Sequence, residues 1–376
     1  MTVSLFFDED HLHVTWPDLT VSAYPWVWLR DQSHDETTLH PLTRQRHLRP
    51  RHLDPSIRAV EVELLSAPSD DERTVRIIWN NGDPPSLLPL TFLSRYSQPI
   101  EPSARLSIDP VLWDAASLGH APSTPYERIM DTNDGPLEWL TQVATHGFSI
   151  ATGTPPTAAA TIALLQRIGY IRETIFGGFW EFTADLSKAD TAYTDLELAP
   201  HTDGTYSHDA PGLQLLHCLE FDGEGGLSTV VDGFRIAETL RSVAPEHYET
   251  LRTVHVPGHY LGDGSHLVAA RPIIRHDHLG RLVQVSYNHA DRAPFRLPDT
   301  EMLRFYAALD AFDRLVDDPA LQWRHRLAPG EALLFDNWRV LHGRTAYTGS
   351  RSMCGAYLNH EDFESRLRRS DEQPTG

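Results

Sequence analysis

The sequence predicts a protein made mostly of β-strands, in two parts: a small β-rich N-terminal module and a larger all-β core with helices packed outside it. Short runs of alternating apolar and polar residues recur along the chain, punctuated by Gly, Pro and Asn turns. Helical spacing is confined to a few segments. At 376 residues the chain exceeds one ordinary domain, which suggests two parts.

Residues 1–95 read as the small module. Leu12–Val14, Thr20–Ala23, Ala59–Leu64 and Thr74–Trp79 alternate as strands, and Asn80-Asn81-Gly82-Asp83-Pro84-Pro85 marks a turn. Residues 96–126, rich in Pro, Ser and Ala, read as a linker with one helical turn. Residues 127–376 form the larger domain. It opens on a helix over Pro136–His146, with Leu137, Leu140 and Val143 on one face behind Asp134-Gly135-Pro136. Gly147–Ala151 reads as a strand and Thr157–Ile168 as a helix ending at Gly169. After Gly177 strands dominate: Gly212–Leu219, Leu227–Asp232, Val254–Tyr260, Leu282–Tyr287, Ala332–Phe335 and Met353–Leu358. Helices over Phe234–Ser242 and Asp299–Val316 interrupt them. An all-β core with outer helices is the economical arrangement of such a list.

Charge and cysteine content narrow the function. The net charge is −20, from 52 acidic against 32 basic residues. Nucleic-acid binders concentrate Lys and Arg on one face, so nucleic acid is an unsuitable partner; a cationic small molecule is compatible. Cys218 and Cys354 sit in apolar stretches and read as buried small hydrophobes, with no disulfide framework, which fits a reducing compartment. The N-terminus, acidic and without a long apolar run, does not read as a signal peptide, and no stretch is long enough to span a membrane. The expectation is a soluble, cytosolic protein.

The chemistry is concentrated in Leu198-Ala-Pro-His201-Thr-Asp203-Gly. A His and an Asp two apart at a strand end point the same way, so both can hold one ion. A third ligand, His342, is supplied by Phe335-Asp-Asn-Trp-Arg-Val-Leu-His342-Gly-Arg344, read as an apolar strand running to a Gly. Two His and one carboxylate on one face leave positions open, which suits Fe(II) with O2 and a bidentate co-substrate. The ligand set alone also accommodates Zn2+ or Mn2+. Arg351, nine positions beyond His342 at the start of a strand, can grip the end of a dicarboxylate such as 2-oxoglutarate. Two rival classes lack support. A non-catalytic binding protein of the same fold requires a broken triad or a lost Arg. A zinc hydrolase has no use for Arg351.

These residues also resemble a family, the γ-butyrobetaine and trimethyllysine hydroxylases among the Fe(II)/2-oxoglutarate-dependent dioxygenases. The match is dense from about Gly169 to Phe363. It includes Gly169-Tyr-Ile-Arg-Glu-Thr, Pro200-His-Thr-Asp, Pro211-Gly-Leu-Gln-Leu-Leu-His-Cys-Leu, Val231-Asp-Gly-Phe, Asp336-Asn-Trp-Arg-Val-Leu-His-Gly-Arg and Gly355-Ala-Tyr. The resemblance implies a double-stranded β-helix, or jelly roll, after a small N-terminal β domain. It implies Fe(II) on His201, Asp203 and His342, 2-oxoglutarate held by Arg351 and Ser228, O2 as oxidant, and succinate and CO2 as co-products. Members often form homodimers. The Cys cluster that holds a structural zinc in N-terminal domains of the group is missing from Trp28-Leu-Arg-Asp-Gln-Ser-His34, so no zinc is expected there. His34 and His40 read as surface residues, and packing around Trp26 and Trp28 must stabilise that domain.

The resemblance also implies a substrate. Quaternary ammonium groups sit in a cage of aromatic rings, whose matching walls are Phe176, Trp180, Tyr193 and Tyr357. Phe176 stands where a Tyr is usual. Asp190 resembles the trimethyllysine enzymes and suits a free α-ammonium group, and Asn288 suits the substrate carboxylate. Gly204 stands where butyrobetaine enzymes carry Tyr. Together they favour trimethyllysine over γ-butyrobetaine, while the change at Phe176 leaves room for a different amine or amino acid.

Overall fold

The computed structural model describes residues 3–69, 73–99, 106, 108–183, 195–262 and 264–371. It divides into two compact units, Met1–Ala104 and Arg105–Gly376.

The first unit holds two three-stranded antiparallel sheets. One is formed by β1 (Ser4–Phe7), β2 (His11–Thr15) and β3 (Val21–Pro25), the other by β4 (Ala59–Leu65), β5 (Thr74–Trp79) and β6 (Ser86–Pro89). The period-two pattern works as the sequence predicts: Leu12, Val14, Val75, Ile77 and Trp79 all turn inward. Trp26 is buried edge-on to Trp79, with ring centroids 6.1 Å apart. Trp28 stacks between Tyr24 and Phe92, 5.7 Å from each. His34 departs from its surface reading. It is half-buried with its ring 4.9 Å from Phe92, and burial lowers its pKa. The reason is that Phe92 comes from a helix, Leu90–Arg95, distant in sequence. The Nδ1 of His40 caps its own turn, accepting from the N–H groups of Leu42 and Thr43.

The second unit continues with β7 (Ser123–Pro125), β8 (Phe148–Thr152), β9 (Ile171–Arg172), β10 (Phe179–Thr183), β11 (Leu198–His201), β12 (Leu213–Gly225) and β13 (Ser228–Asp232). Then follow β14 (His255–Gly262), β15 (Ser265–Pro272), β16 (Ile274–His276), β17 (Leu282–Val285), β18 (Gln322–His325), β19 (Ala332–Asp336), β20 (Val340–Arg344) and β21 (Tyr347–Leu358). The larger sheet runs β10-β21-β12-β19-β8-β7, with β9 also on β21, and the smaller runs β11-β20-β13-β18. The chain alternates between them: β12 to β13, then β18, β19, β20 and β21 in turn. That alternation is the double-stranded β-helix.

Three apolar layers hold the sheets. Cys218, Val230, Leu333, Phe335, Val340 and Met353 form one cluster drawn from both sheets. Helices Gly135–His146 and Ala158–Gln166 lay Leu140, Val143 and Leu164 on Leu213, Leu215 and Leu334 of the larger sheet. Helices Gly233–Val243 and Asp299–Asp317 set Ile236, Leu240, Phe305 and Phe312 against Val231 and Leu341 of the smaller.

Three expectations need revision. Phe335–His342 is not one strand: β19 and β20 belong to different sheets, and a turn at residues 337–339 carries the chain across. Val254–Tyr260 does form a strand, β14, but it pairs with β15 in a separate two-stranded ribbon. Residues 105–126, read as linker, lie in the second unit, where Trp113 is buried and packs 5.4 Å from Phe148. No helix among the described residues is long and apolar enough to cross a membrane.

Candidate active site

The jelly roll brings the three predicted ligands together by strand pairing. β11 lies antiparallel to β20 with His201 directly opposite His342, and directly opposed residues on paired strands are near neighbours. Their ring centroids are 4.5 Å apart. β11 ends at His201, and Asp203 follows in the loop. Thr202 turns away from the site, donating its N–H to the Tyr287 carbonyl at 2.7 Å. Asp203 is thereby returned to the side of His201. The His201 Nε2 lies 3.3 Å from Asp203 Oδ1 and the His342 Nε2 lies 3.5 Å from Asp203 Oδ2. The candidate ligand atoms of all three lie within 4.8 Å of one another.

Electronic and steric details fit a cation there. The His201 Nδ1 donates to the Ala199 carbonyl at 2.8 Å, leaving the Nε2 lone pair for a metal. Burial opposes ionisation of Asp203, but His342 and His201 outweigh it and hold the carboxyl well below its ordinary value. The donor set is therefore a carboxylate and two imidazoles, the chemistry of Fe(II) sites that keep positions open for O2 and a chelating co-substrate. A second cluster, Asp8, His11 and His13, also groups ligand atoms. There Asp8 caps a turn and takes a hydrogen bond from His13 at 2.7 Å.

The turn between β19 and β20 holds the loop of Asp203. Asn337 Oδ1 accepts the Asp203 N–H at 2.8 Å, and its Nδ2 donates to the carbonyls of Asp203 and Pro211 at 3.0 and 2.9 Å. Arg339 pins the turn from behind with a buried ion pair to Asp232 at 2.8 Å and bonds to the carbonyls of Thr145 and Val111. Gly204 has φ +71°, and a Cβ there would meet Pro211 Cδ at 2.6 Å. The backbone thus excludes a side chain directly after the ligand.

Arg351 lies on β21 of the larger sheet and is 9% exposed. Among the described residues its guanidinium makes no hydrogen bond or ion pair; it stacks over Tyr347 at 5.6 Å. Arg344, on β20, covers the same ring at 5.0 Å. Burial and Arg344 push the Arg351 pKa down to about 10, so it remains a cation at neutral pH. Two guanidinium groups gathered on one ring make a place for an anion. Ser228 is buried on β13 directly opposite Arg344.

Of the aromatic residues, Phe176 and Tyr357 border one cavity of about 190 Å³, together with Gly204, Tyr206, Glu173 and Leu267. The Tyr357 hydroxyl donates to Asp203 Oδ2 at 2.7 Å, so this ring touches a ligand as well as the cavity. Trp180 packs edge-on to Tyr357, with centroids 5.3 Å apart, and presses on Gly355. Tyr193 and Asp190 lie outside the described residues. Asn288 lines a second cavity and donates to Asp291 at 2.9 Å. The sequence reading missed Asn337, Tyr206 and Tyr260. Tyr206 and Tyr260 are 5.4 Å apart and Tyr260 meets Phe176 edge-on at 5.5 Å. Tyr206 stands only three residues beyond Asp203, a signal that could have found it. Nothing local marked Tyr260, because its ribbon folds back from far along the chain.

Comparison with known proteins agrees with this geometry. Residues 114–357 match the taurine catabolism dioxygenase TauD, TfdA family, and residues 3–94 match the γ-butyrobetaine hydroxylase-like N-terminal domain. The trimethyllysine dioxygenase of Meyerozyma guilliermondii is 35% identical over 97% of this chain and 94% of its own length. The mitochondrial trimethyllysine dioxygenase of Homo sapiens is 34% identical over 96% of this chain and 85% of its own. The γ-butyrobetaine dioxygenase of a Pseudomonas species is 31% identical over 94% of this chain and 92% of its own. A Burkholderia xenovorans structure described as an alpha-ketoglutarate-dependent taurine dioxygenase shares the fold, with a TM-score of 0.50 at 13% identity over 66% of this chain and 90% of that one. The chain belongs to the TauD, TfdA family of dioxygenases, in the group that carries a γ-butyrobetaine hydroxylase-like N-terminal domain.

Proposed function

We propose that the protein hydroxylates an unactivated C–H of Nε-trimethyllysine, using Fe(II), O2 and 2-oxoglutarate. The carrying observation is the convergence of His201, Asp203 and His342, and it is supported by a buried Arg351 that makes no hydrogen bond or ion pair among the described residues. When bound, the iron supplies oxygen activation coupled to decarboxylation of 2-oxoglutarate to succinate and CO2. The chain's own residues do the rest. His201 and His342 offer Nε2, and Asp203 offers a carboxylate whose Oδ2 already receives the Tyr357 hydroxyl. Arg351 receives the far carboxylate of 2-oxoglutarate, with Ser228 beside it, and its fixed guanidinium sets the register of the co-substrate.

The trimethylammonium head lies against the faces of Phe176, Trp180, Tyr193 and Tyr357, which attract a cation that cannot donate hydrogen bonds. The 190 Å³ cavity between Phe176, Tyr206 and Tyr357 supports this part of the reading. Asp190 pairs with the α-ammonium and Asn288 with the carboxylate. Identity of 33–35% to several trimethyllysine dioxygenases supports trimethyllysine over γ-butyrobetaine, as does the lack of space beside Gly204. The two units, Met1–Ala104 and Arg105–Gly376, act as separate folding domains in this reading. A reducing, cytosolic setting is supported by the two buried free thiols, Cys218 and Cys354, and a homodimer by the family resemblance.

Competition decides the substrate. With trimethyllysine and γ-butyrobetaine together at equal concentration, the product one oxygen heavier forms from trimethyllysine. Preferential oxidation of γ-butyrobetaine would overturn the substrate and leave the enzyme class standing.

A further inference from the structure

The loop after Asp203 separates two cavities. Gly204 and Tyr206 line the aromatic one, and Thr205, between them, lines a second of about 270 Å³ with Arg271, Asn288, Arg292 and Tyr306. The second cavity abuts the metal-ligand segment through Tyr287. Thr202, which sits between His201 and Asp203, exchanges two hydrogen bonds with Tyr287, at 2.7 and 2.9 Å. Asn288 is the next residue.

Arg271 ends this cavity in an unusual state. It lies on β15 and is 8% exposed, and its Nη2 is buried without a hydrogen-bond partner among the described residues. Among the described residues it makes no ion pair. The nearest acidic influence on it is Asp209, which is itself bonded to Arg172 at 2.8 Å. The cavity's own carboxylates are also engaged: Asp310 takes the Arg314 guanidinium at 2.8 Å, and Asp313 takes the Tyr287 hydroxyl. Burial, with Arg275 nearby, pushes the Arg271 pKa down only to about 10, so the group is charged at neutral pH. A buried guanidinium without an anion is costly, and a fold keeps one where a ligand brings the anion. Arg292 adds a second buried nitrogen without a hydrogen-bond partner among the described residues, its Nη1, on the same cavity.

We propose that Arg271, with Asn288, is the binding site for the carboxylate of the amino-acid substrate. The substrate then straddles the 204–206 loop, its quaternary ammonium among the rings of one cavity and its carboxylate on Arg271 in the other. This site is separate from Arg351: β15 belongs to neither jelly-roll sheet, whereas Arg351 lies on β21 of the larger one. Arg271 works as a specificity residue, because it rewards a substrate with an anionic end and leaves a neutral one facing an unsatisfied cation. The assignment rests on the proposed reaction, since it deepens the same substrate site.

The test is calorimetric binding to the enzyme loaded with Fe(II) and 2-oxoglutarate, without O2. Trimethyllysine and γ-butyrobetaine are each compared with their carboxamides, on the native protein and on Arg271→Ala, Arg271→Lys and Arg271→Gln. The native protein prefers each acid to its amide by on the order of 10²-fold. Arg271→Ala and Arg271→Gln lose that preference, Arg271→Lys keeps part of it, and affinity for 2-oxoglutarate stays unchanged in all three. An acid preference that persists in Arg271→Ala and Arg271→Gln overturns the assignment while the hydroxylase reading stands. Loss of the preference with γ-butyrobetaine, in an enzyme that ignores trimethyllysine, supports the assignment and removes the proposed substrate instead. Arg271-dependent binding of free acetate that leaves the acid-to-amide ratio intact would make this an effector site and overturn the assignment.

Discussion

Each predicted ligand became useful only through an atom that the sequence does not display. His201 is oriented because its Nδ1 is spent on the Ala199 carbonyl. Asp203 is oriented because Tyr357 holds one oxygen. Tyr357 reads from sequence as a cage wall, and its ring does border the cavity, but its hydroxyl reaches the metal ligand. Tyr357→Phe keeps the ring and removes that bond. It is expected to weaken Fe(II) retention about 10-fold with little change in the Michaelis constant for the amine. A change in the amine's constant alone would mean that the hydroxyl serves the substrate rather than Asp203. Arg351→Ala is expected to raise the Michaelis constant for 2-oxoglutarate by about 30-fold or more, since a charge-assisted bidentate contact is worth roughly 2–3 kcal/mol. An equal rise in both substrates' constants would speak against its assigned partner. Residue types and spacing made the triad legible. Tyr260 was not, because its ring contacts join distant segments and leave no trace in local pattern.

At the scale of elements, the turn between β19 and β20 deserves the most weight. The sequence Asp336-Asn-Trp-Arg-Val-Leu-His looks like a continuous apolar strand, and its break is set by side chains whose partners are remote. Asn337 reaches Asp203 and Pro211, and Arg339 reaches Asp232, Thr145 and Val111. No local period reports such contacts. Strands whose faces alternate cleanly, such as β2 and β5, were readable, and so were the amphipathic helices. Strand partners were not: β14 was found as a strand, but only the fold shows that it pairs with β15 outside the jelly roll. Asn337→Ala is expected to lose metal affinity while keeping its thermal transition within a few degrees. Arg339→Ala leaves the Asp232 carboxylate buried without its partner, and such a loss costs about 3–5 kcal/mol. Denaturant titration checks this, and a cost under about 1 kcal/mol would show the pair to be dispensable.

At the scale of the whole molecule, stability is tied to pH through His360. This imidazole stacks on Trp338 with centroids 4.4 Å apart and lies 3.5 Å from both Asp336 and Glu364. Burial opposes its charge, but the two carboxylates outweigh burial and push its pKa from 6.5 up to about 10. A raised folded pKa stabilises fully below the unfolded value, and the contribution is lost as pH climbs through the folded one. The melting temperature is therefore expected to fall between about pH 7 and pH 10, and to fall less in His360→Gln. Parallel slopes in the two proteins would remove His360 as the cause. The two-part architecture was legible from turn signals and alternation. The placement of residues 105–126 was not, because Trp113 is buried against Phe148, which lies beyond the helix Gly135–His146.

The central claim is that one iron held by His201, Asp203 and His342 couples 2-oxoglutarate decarboxylation to oxidation of trimethyllysine. The most direct measurement is the ratio of succinate to hydroxylated trimethyllysine formed with Fe(II), O2 and 2-oxoglutarate, run beside Asp203→Ala. The account predicts one succinate per hydroxylated product in the native enzyme, and neither product from the variant. Hydroxylation that persists in Asp203→Ala, or iron-loaded native enzyme that forms no succinate with any quaternary amine, would contradict it.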